Sequence, residues 1–373
     1  MADFPFRRAF DPDTFSFEEL PHSHGVFLLE TDGEPYLNKS ANLRRRISKL
    51  LQPGQQGKRL NLRSATRAIS WQPAGSVFET NVLLWRLARR YFPDSYRQRL
   101  RLRPPVVLKL NLENEYPRCY PTRRLGKQGM YFGPFPSRAT AERFASDFLD
   151  LFKVRRCVEE IHPDPAHPGC VYGEMGMCLR PCQAVVTQDV YLEEVGRVRE
   201  FLTSEGRSLF RPLEEERAKA SEGLNFEEAA RIHKRLEKVQ SVLNQPELAW
   251  KAGLATDLDR LCGIVVQPSS APQAVELFPV WRGFLLHPIQ LSVAADETGQ
   301  PVSLDARLHE VLADLALKPS GRRTEHLTLL ARWFYRGTRK GEFVGFESYE
   351  KPPYRRLVNA IGRVGRGVAV PES

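Results

Sequence analysis

Four cysteines, Cys157, Cys170, Cys178 and Cys182, are separated by 12, 7 and 3 intervening residues in a stretch that also holds Gly169, Gly173, Gly176 and Pro181. Thiolates are soft metal ligands, and a loop can turn several of them inward where a helix cannot, so the cluster points to a metal. Structural zinc prefers closely paired cysteines, and only Cys178-Leu-Arg-Pro-Cys182 has that spacing. A four-cysteine iron–sulfur cluster tolerates irregular spacing. Inert free thiols are the third reading. Cys119 and Cys262 stand apart and read as small buried residues. A second set is Tyr36, Lys39 and Arg46. Lys39 and Arg46 are seven residues apart, so they share a face if a helix begins near Lys39, with Tyr36 ending a strand at the same edge. A tyrosine base and an arginine facing developing charge could act on a phosphodiester, while the plain alternative is a solvated helix face.

The composition favours the first chemistry over a membrane role. The chain has 373 residues, 42% hydrophobic and 27% charged, which fits a folded protein of two to four domains. The opening MADFPFRRAF has no apolar core of a signal peptide and no run approaches the ~20 apolar residues of a membrane span. A soluble, cytoplasmic protein with no membrane partner is expected. The net charge is +10, and residues 1–105 hold 18 basic and 10 acidic side chains, so +8 of it lies there. A basic region of this kind attracts polyanions, nucleic acid first. Six cysteines in a cytoplasmic chain do not suggest a disulfide framework.

The elements that must position these residues follow from periodicity. Residues 1–24 read as an irregular lead-in. The apolar run at 25–30, turn residues at 31–34 and a second run at 35–37 predict a β-hairpin. Leu43, Ile47, Leu50 and Leu51 recur at helical spacing, with Arg44, Arg45, Arg46 and Lys49 between them as a DNA-binding face. A loop at 52–58, a strand at 68–71 and a helix at 77–91 follow, ended by Pro93. Beyond Pro104-Pro105, a strand at 106–112 pairs with 117–122, and a turn-rich segment at 131–137 leads into a helix at 140–152. Helices are expected at 189–202, at 212–222 with Pro212 in its first turn, and at 226–243, where Asn225 and Glu228 have capping-box spacing. After 246 the pattern predicts strands at 263–268 and 274–286 and helices at 306–316, 325–335 and 353–364.

Taken in order, Gly25-Val26-Phe27, Tyr36-Leu37-Asn38-Lys39 and Arg46 resemble the GIY-YIG nuclease module, and residues 20–245 resemble the N-terminal part of the UvrC family. Tyr131-Phe132-Gly133-Pro134-Phe135-Pro136-Ser137, followed by a helix and the four cysteines, is similar to the segment that joins that nuclease to its cysteine region. Leu224-Asn225-Phe226-Glu227-Glu228-Ala229-Ala230-Arg231 is similar to the UVR motif. The resemblance implies a [4Fe–4S] cluster on the four cysteines in preference to zinc. It also implies a UvrB-type partner on a helical face of Phe226, Ala229, Ala230, His233 and Leu236, and DNA as substrate. The alternative for that face is a hairpin closing on its own core.

The departures from the family bear on activity. Phe27 stands where the first motif tyrosine is expected, Asn38 replaces the second motif's glycine, and Leu50 stands where a further tyrosine is common. A gapless alignment up to Pro93 puts Leu84 at the metal-binding glutamate, and leucine cannot bind a hard cation. A competing register, with an insertion before Pro93, places Glu79 there and restores a Mg²⁺ site. The gapless register is preferred, so the nuclease is expected to be lost or weak. The active single-cut endonuclease is the alternative.

After position 246 too little chain is left for both an RNase H-like domain and helix-hairpin-helix motifs. Asp257, Asp259, Asp296, Asp305 and Asp314 form no recognisable triad, and the basic stretch 355–366 reads as a DNA-facing or solvated helix. The expected architecture is multidomain α/β and α. It comprises a GIY-YIG-like α/β domain (20–103), a linker domain with the cysteine cluster (104–186), a helical region with the UVR hairpin (187–246) and a small C-terminal α/β region (247–373).

Overall fold

The apolar run at 25–30 is unbroken because the strand it forms is covered on both faces. The protein is described from a computed structural model over residues 4–52, 62–245, 256–293, 303–337 and 339–366. The N-terminal unit contains β1 (Phe6–Ala9), β2 (Gly25–Thr31), β3 (Tyr36–Ser40), α1 (Leu43–Leu51), α2 (Leu62–Ala65), β4 (Thr66–Pro73), α3 (Val77–Tyr91) and α4 (Tyr96–Arg99). Its antiparallel sheet has the order β1-β4-β2-β3. Phe27 and Leu29 face α1 with Leu43, Ile47 and Leu51, while Val26 and Leu28 face Leu83 and Leu87 of α3. The lead-in is therefore not wholly irregular. Phe6 pairs with Trp71 across β1 and β4, and their rings stack at 5.7 Å, but four exposed residues carry no readable alternation.

The middle unit contains β5 (Val106–Leu110), β6 (Cys119–Thr122), β7 (Met130–Phe135), α5 (Arg138–Leu149), α6 (Val171–Glu174), α7 (Gln188–Thr203), α8 (Arg207–Glu222), α9 (Phe226–Leu243) and β8 (Thr256–Asp257). The sheet order is β6-β5-β7-β8. The expected turn at 131–137 is largely strand. Leu108 pairs with Phe132 and Val106 with Phe135, and the register shift between them accommodates Gly133-Pro134, as bulges do for proline. Phe144 and Phe148 of α5, Tyr191 and Phe201 of α7, and Ile232, Leu236 and Val239 of α9 share one core. Helix α8 starts earlier than expected, after Gly206 in the left-handed region, so Pro212 lies inside it.

The C-terminal unit contains β9 (Cys262–Pro268), β10 (Ala274–Trp281), β11 (Phe284–Leu285), β12 (Ile289–Ser292), α10 (Leu304–Ala313), α11 (Arg323–Phe334), β13 (Glu342–Phe346) and α12 (Tyr354–Gly365). The single strand expected at 274–286 is a hairpin, because Arg282 and Gly283 both take positive φ, as a two-residue turn requires. Strands β12 and β13 are additions to the expected pattern. Helices α10 and α12 cover one face of this sheet. The other face packs through Phe278, Leu330 and Trp333 onto Phe78, Val82 and Trp85 of α3, so α3 is held between two units. The whole is a mixed α/β multidomain fold with antiparallel sheets. The loop expected at 52–58 lies outside the described residues apart from Gln52, as does Asp296. Among the described residues no helix is long and apolar enough to cross a membrane.

Candidate functional site

The motif residues of the N-terminal unit do not share a helix face. Asn42 caps α1, its Oδ1 accepting from the Arg45 N–H at 2.9 Å, so the helix begins at Leu43 and leaves Lys39 on β3. Tyr36 begins that strand instead of ending it. Successive strand residues point to opposite faces. Tyr36 accordingly packs on Phe27, with its hydroxyl accepting from Asn38 Nδ2 at 2.7 Å, whereas Lys39 reaches the other way to the side chain of Asn81 on α3. Desolvation, then Arg332 of α11 and Arg336 just beyond that helix, lower the Lys39 pKa. The four basic side chains of α1 divide. Arg44 turns inward and donates to the backbone oxygens of Leu20 (2.8 Å) and Glu18, while Arg45, Arg46 and Lys49 are exposed.

Helix α3 decides where a metal-binding carboxylate could stand. Ser76 Oγ accepts from the Glu79 N–H at 3.0 Å, and Glu79 Oε2 accepts from the Gly75 N–H at 2.7 Å, a reciprocal cap at the helix start. Burial pushes the Glu79 carboxyl up to about 7; the Gly75 bond opposes this, and Glu276 adds to it. The α3 side chain that Lys39 reaches is that of Asn81, not a carboxylate, while Leu84 borders the apolar core between α3 and β2.

The cysteine segment is tied to the middle core at its entry. Phe152 and Val154 anchor its entry in the middle core, and Arg155 follows, 2% exposed. Its guanidinium donates to the backbone oxygens of Tyr116 (2.7 Å) and Glu159 (2.7 Å) and to Cys157 Sγ at 3.6 Å. Its own N–H donates to the hydroxyl of Tyr191, which donates in turn to the Pro117 oxygen at 2.7 Å. Gly169 takes φ +81°, and a Cβ there would meet the Gln183 amide at 2.9 Å, so this turn requires glycine. All four thiols are free. Burial pushes Cys178 up to about 11, against the Arg180 N–H donated to its sulfur, and Cys157, Cys170 and Cys182 push it further. Among the described residues no group of three or more His, Cys, Asp or Glu is arranged to hold a single ion. Arg155 was not singled out in the sequence, although an Arg-Arg pair directly before Cys157 in an otherwise apolar run was a readable signal.

On α9 the expected partner face is narrower than its five residues. Phe226 is 65% exposed, and Ala230 and His233 are exposed on the same side, with Ala229 half-buried at its border. Leu236 belongs to the inward stripe with Ile232 and Val239 and is only 2% exposed. At about 100° per residue, Leu236 falls close to the core direction and well away from Phe226. Asn225 Oδ1 accepts from the Glu228 N–H at 3.3 Å, but the Glu228 carboxylate pairs with Arg231 instead of closing a capping box.

The arrangement is that of a multidomain protein in which a small α/β unit precedes a sheet-and-helix unit bearing a cysteine-lined loop and an exposed helical hairpin. The family model for the UvrC/Cho excinuclease middle domain matches residues 106–201. The UvrABC system protein C of Methanothermobacter thermautotrophicus is 27% identical over 65% of this chain and 41% of that protein. The protein of the same name from Carboxydothermus hydrogenoformans is 29% identical over 62% of this chain and 39% of its own. That of Desulfatibacillum aliphaticivorans is 29% identical over 72% and 44%. The chain spans about two-fifths of the length of these curated relatives. No solved structure matches. Residues 106–201 thus match a UvrC-family domain, and the chain as a whole is similar to UvrABC system protein C over roughly two-thirds of its length.

Proposed function

We propose that this chain is a UvrC-related nucleotide excision repair protein that binds DNA and docks on a UvrB-type partner, with its GIY-YIG nuclease lost or weak. DNA contact falls to Arg45, Arg46 and Lys49, and partner contact to Phe226, Ala229, Ala230 and His233. The four cysteines would hold a [4Fe–4S] cluster, which supplies a brace across the 157–182 loop. The free thiols and the Arg155 and Arg180 donors to sulfur support that assignment.

The observation that carries the nuclease reading is the position of Glu79. Its carboxylate lies at the Gly75 N–H, and on α3 it is Asn81, not a carboxylate, that meets Lys39. Without a carboxylate-held cation, charge building on the leaving oxygen loses a stabiliser worth several kcal/mol. The test is incision of damaged duplex DNA by anaerobically purified full chain with UvrA, UvrB, ATP and Mg²⁺ or Mn²⁺, beside a Tyr36→Phe control. No incision above background is expected, with UvrB binding intact. A cut that disappears in Tyr36→Phe would establish the active endonuclease instead.

A further inference from the structure

The C-terminal unit packs against α3 and leaves a cleft of about 330 Å³ at the seam. Arg86, Arg89 and Arg90 of α3 line one side, and His287 and Lys318 of the C-terminal unit the other. Among the described residues lining it there is no Asp or Glu. Glu325 stands near by in sequence, but its oxygens already accept from Trp85 Nε1 (3.0 Å), Tyr96 OH (2.8 Å) and Arg97 Nε (2.9 Å). Arg86, Arg89 and Lys318, three cations gathered in a concave surface, repel one another unless an anion lies between them.

The cleft is also built to hold its shape. Arg89 lies over the Trp85 ring at 4.8 Å from its centroid. Gly321, at φ +88°, closes over that guanidinium, and a Cβ there would meet Arg89 Nη1 at 2.7 Å. The floor is His326, whose Nδ1 accepts from the Leu285 N–H at 3.0 Å, so that Nε2 carries the proton and donates to the Ser320 oxygen at 2.8 Å. This neutral imidazole ties the 318–321 loop to β11 and adds no charge of its own.

We propose that this cleft is a phosphate-binding site, taking either the backbone of a nucleic-acid strand or the phosphates of a free nucleotide. Its volume is at the low end of ordinary small-ligand sites, about 300–1,000 Å³, which suits one nucleotide-sized unit. The strand form rests on the DNA-binding function proposed above, while the free-phosphate form does not.

The experiment uses the full chain, as wild type, as Arg86→Ala with Lys318→Ala, and as Arg86→Lys. Both altered side chains are exposed, so melting in phosphate-free buffer should match wild type. Inorganic pyrophosphate, read by thermal shift and calorimetry, probes the free-phosphate source. A labelled single-stranded oligodeoxynucleotide, read by anisotropy across a salt series, probes the strand source. A strand site predicts that the double variant loses both signals, with the slope of log K against log salt reduced by roughly 1 to 2 and recovery in Arg86→Lys. Loss of pyrophosphate binding alone assigns the site to free nucleotides. Both probes binding the double variant as they bind wild type, or neither binding wild type, would overturn the proposal. Arg45→Ala with Arg46→Ala separates the two readings: strand binding lost there, with both strand and pyrophosphate binding retained in the cleft variant, leaves the proposed function standing and the cleft proposal refuted.

Discussion

The N-terminal motif face and the cysteine segment hold similar inventories of reactive side chains and use them in opposite ways. Around the cysteines, a buried arginine and a buried tyrosine brace the segment, and the Arg155 guanidinium and the Arg180 N–H donate to sulfur. At the N-terminal sheet the same kinds of group hold backbone. Glu79 caps α3, Arg44 binds the 18–20 segment, and Lys39 and Tyr36 leave β3 on opposite faces. Spacing in sequence is comparable in the two regions. What separates them is whether each polar group's hydrogen-bonding capacity is already taken by structure.

The largest effect should come from Arg155→Ala. The substitution strands the backbone oxygens of Tyr116 and Glu159 in a buried loop, at about 1–3 kcal/mol for each such group. A loss on the order of 3 kcal/mol is expected in the middle unit's denaturation transition, together with lower iron and labile sulfide after anaerobic purification. Arg46→Ala, on the exposed face of α1, should stay within about 0.5 kcal/mol. Equal effects from the two would erase the contrast. Cys178→Ala sharpens it further, since loss of bound iron there without loss of stability would leave the segment a scaffold independent of its metal.

Glu79→Gln is the next test, and it depends on pH. The folded Glu79 carboxyl titrates at about 7 against an ordinary 4.5, because burial disfavours its charge. The folded state therefore holds this proton more tightly than the unfolded state. Its contribution to stability is complete below about pH 4.5 and is lost as pH rises through 7. Glu276, also pushed by burial to about 7, works in the same direction. Glutamine keeps an oxygen that can accept from Gly75, so the variant should flatten part of that decline and be on the order of 1 kcal/mol more stable than wild type at pH 8. Denaturation midpoints across pH 4 to 9 measure it. A variant that is instead less stable at pH 8, or that loses a Mg²⁺-dependent cut, would return Glu79 to catalysis and break the comparison from the other side.

Helix bounds were the most legible part of the chain. The expected 226–243 and 77–91 are the observed α9 and α3, because Asn225 and Ser76 cap them and apolar residues recur at helical spacing. Strands β1, β12 and β13 were missed because four or five residues carry too little periodicity to stand out. A helix beginning near Lys39 would have set it beside Arg46, but Asn42, a good cap directly before Leu43, marks the start. The seam between α3 and the C-terminal unit could not be read at all. Its bonds, such as Trp85 to Glu325, join residues 240 positions apart, and only the fold brings them together.

The smallest effect on stability, and one of the more informative, is expected of Phe226→Ala. This phenylalanine opens α9 and is 65% exposed, while Ile232, Leu236 and Val239 on the opposite stripe carry the packing. Its removal should change the denaturation midpoint by no more than about 0.5 kcal/mol, as for other exposed sites. An aromatic side chain beside small residues at helical spacing is, however, the kind of anchor that a helix-in-groove or hairpin-on-hairpin contact requires. Binding of the full chain to UvrB, measured by calorimetry, should weaken by about tenfold or more, the equivalent of an anchor worth at least ~1.4 kcal/mol. Unchanged binding would mean that α9 serves only its own core, and the helical hairpin would then belong with the N-terminal motif face, as structure that keeps a family pattern without its contact.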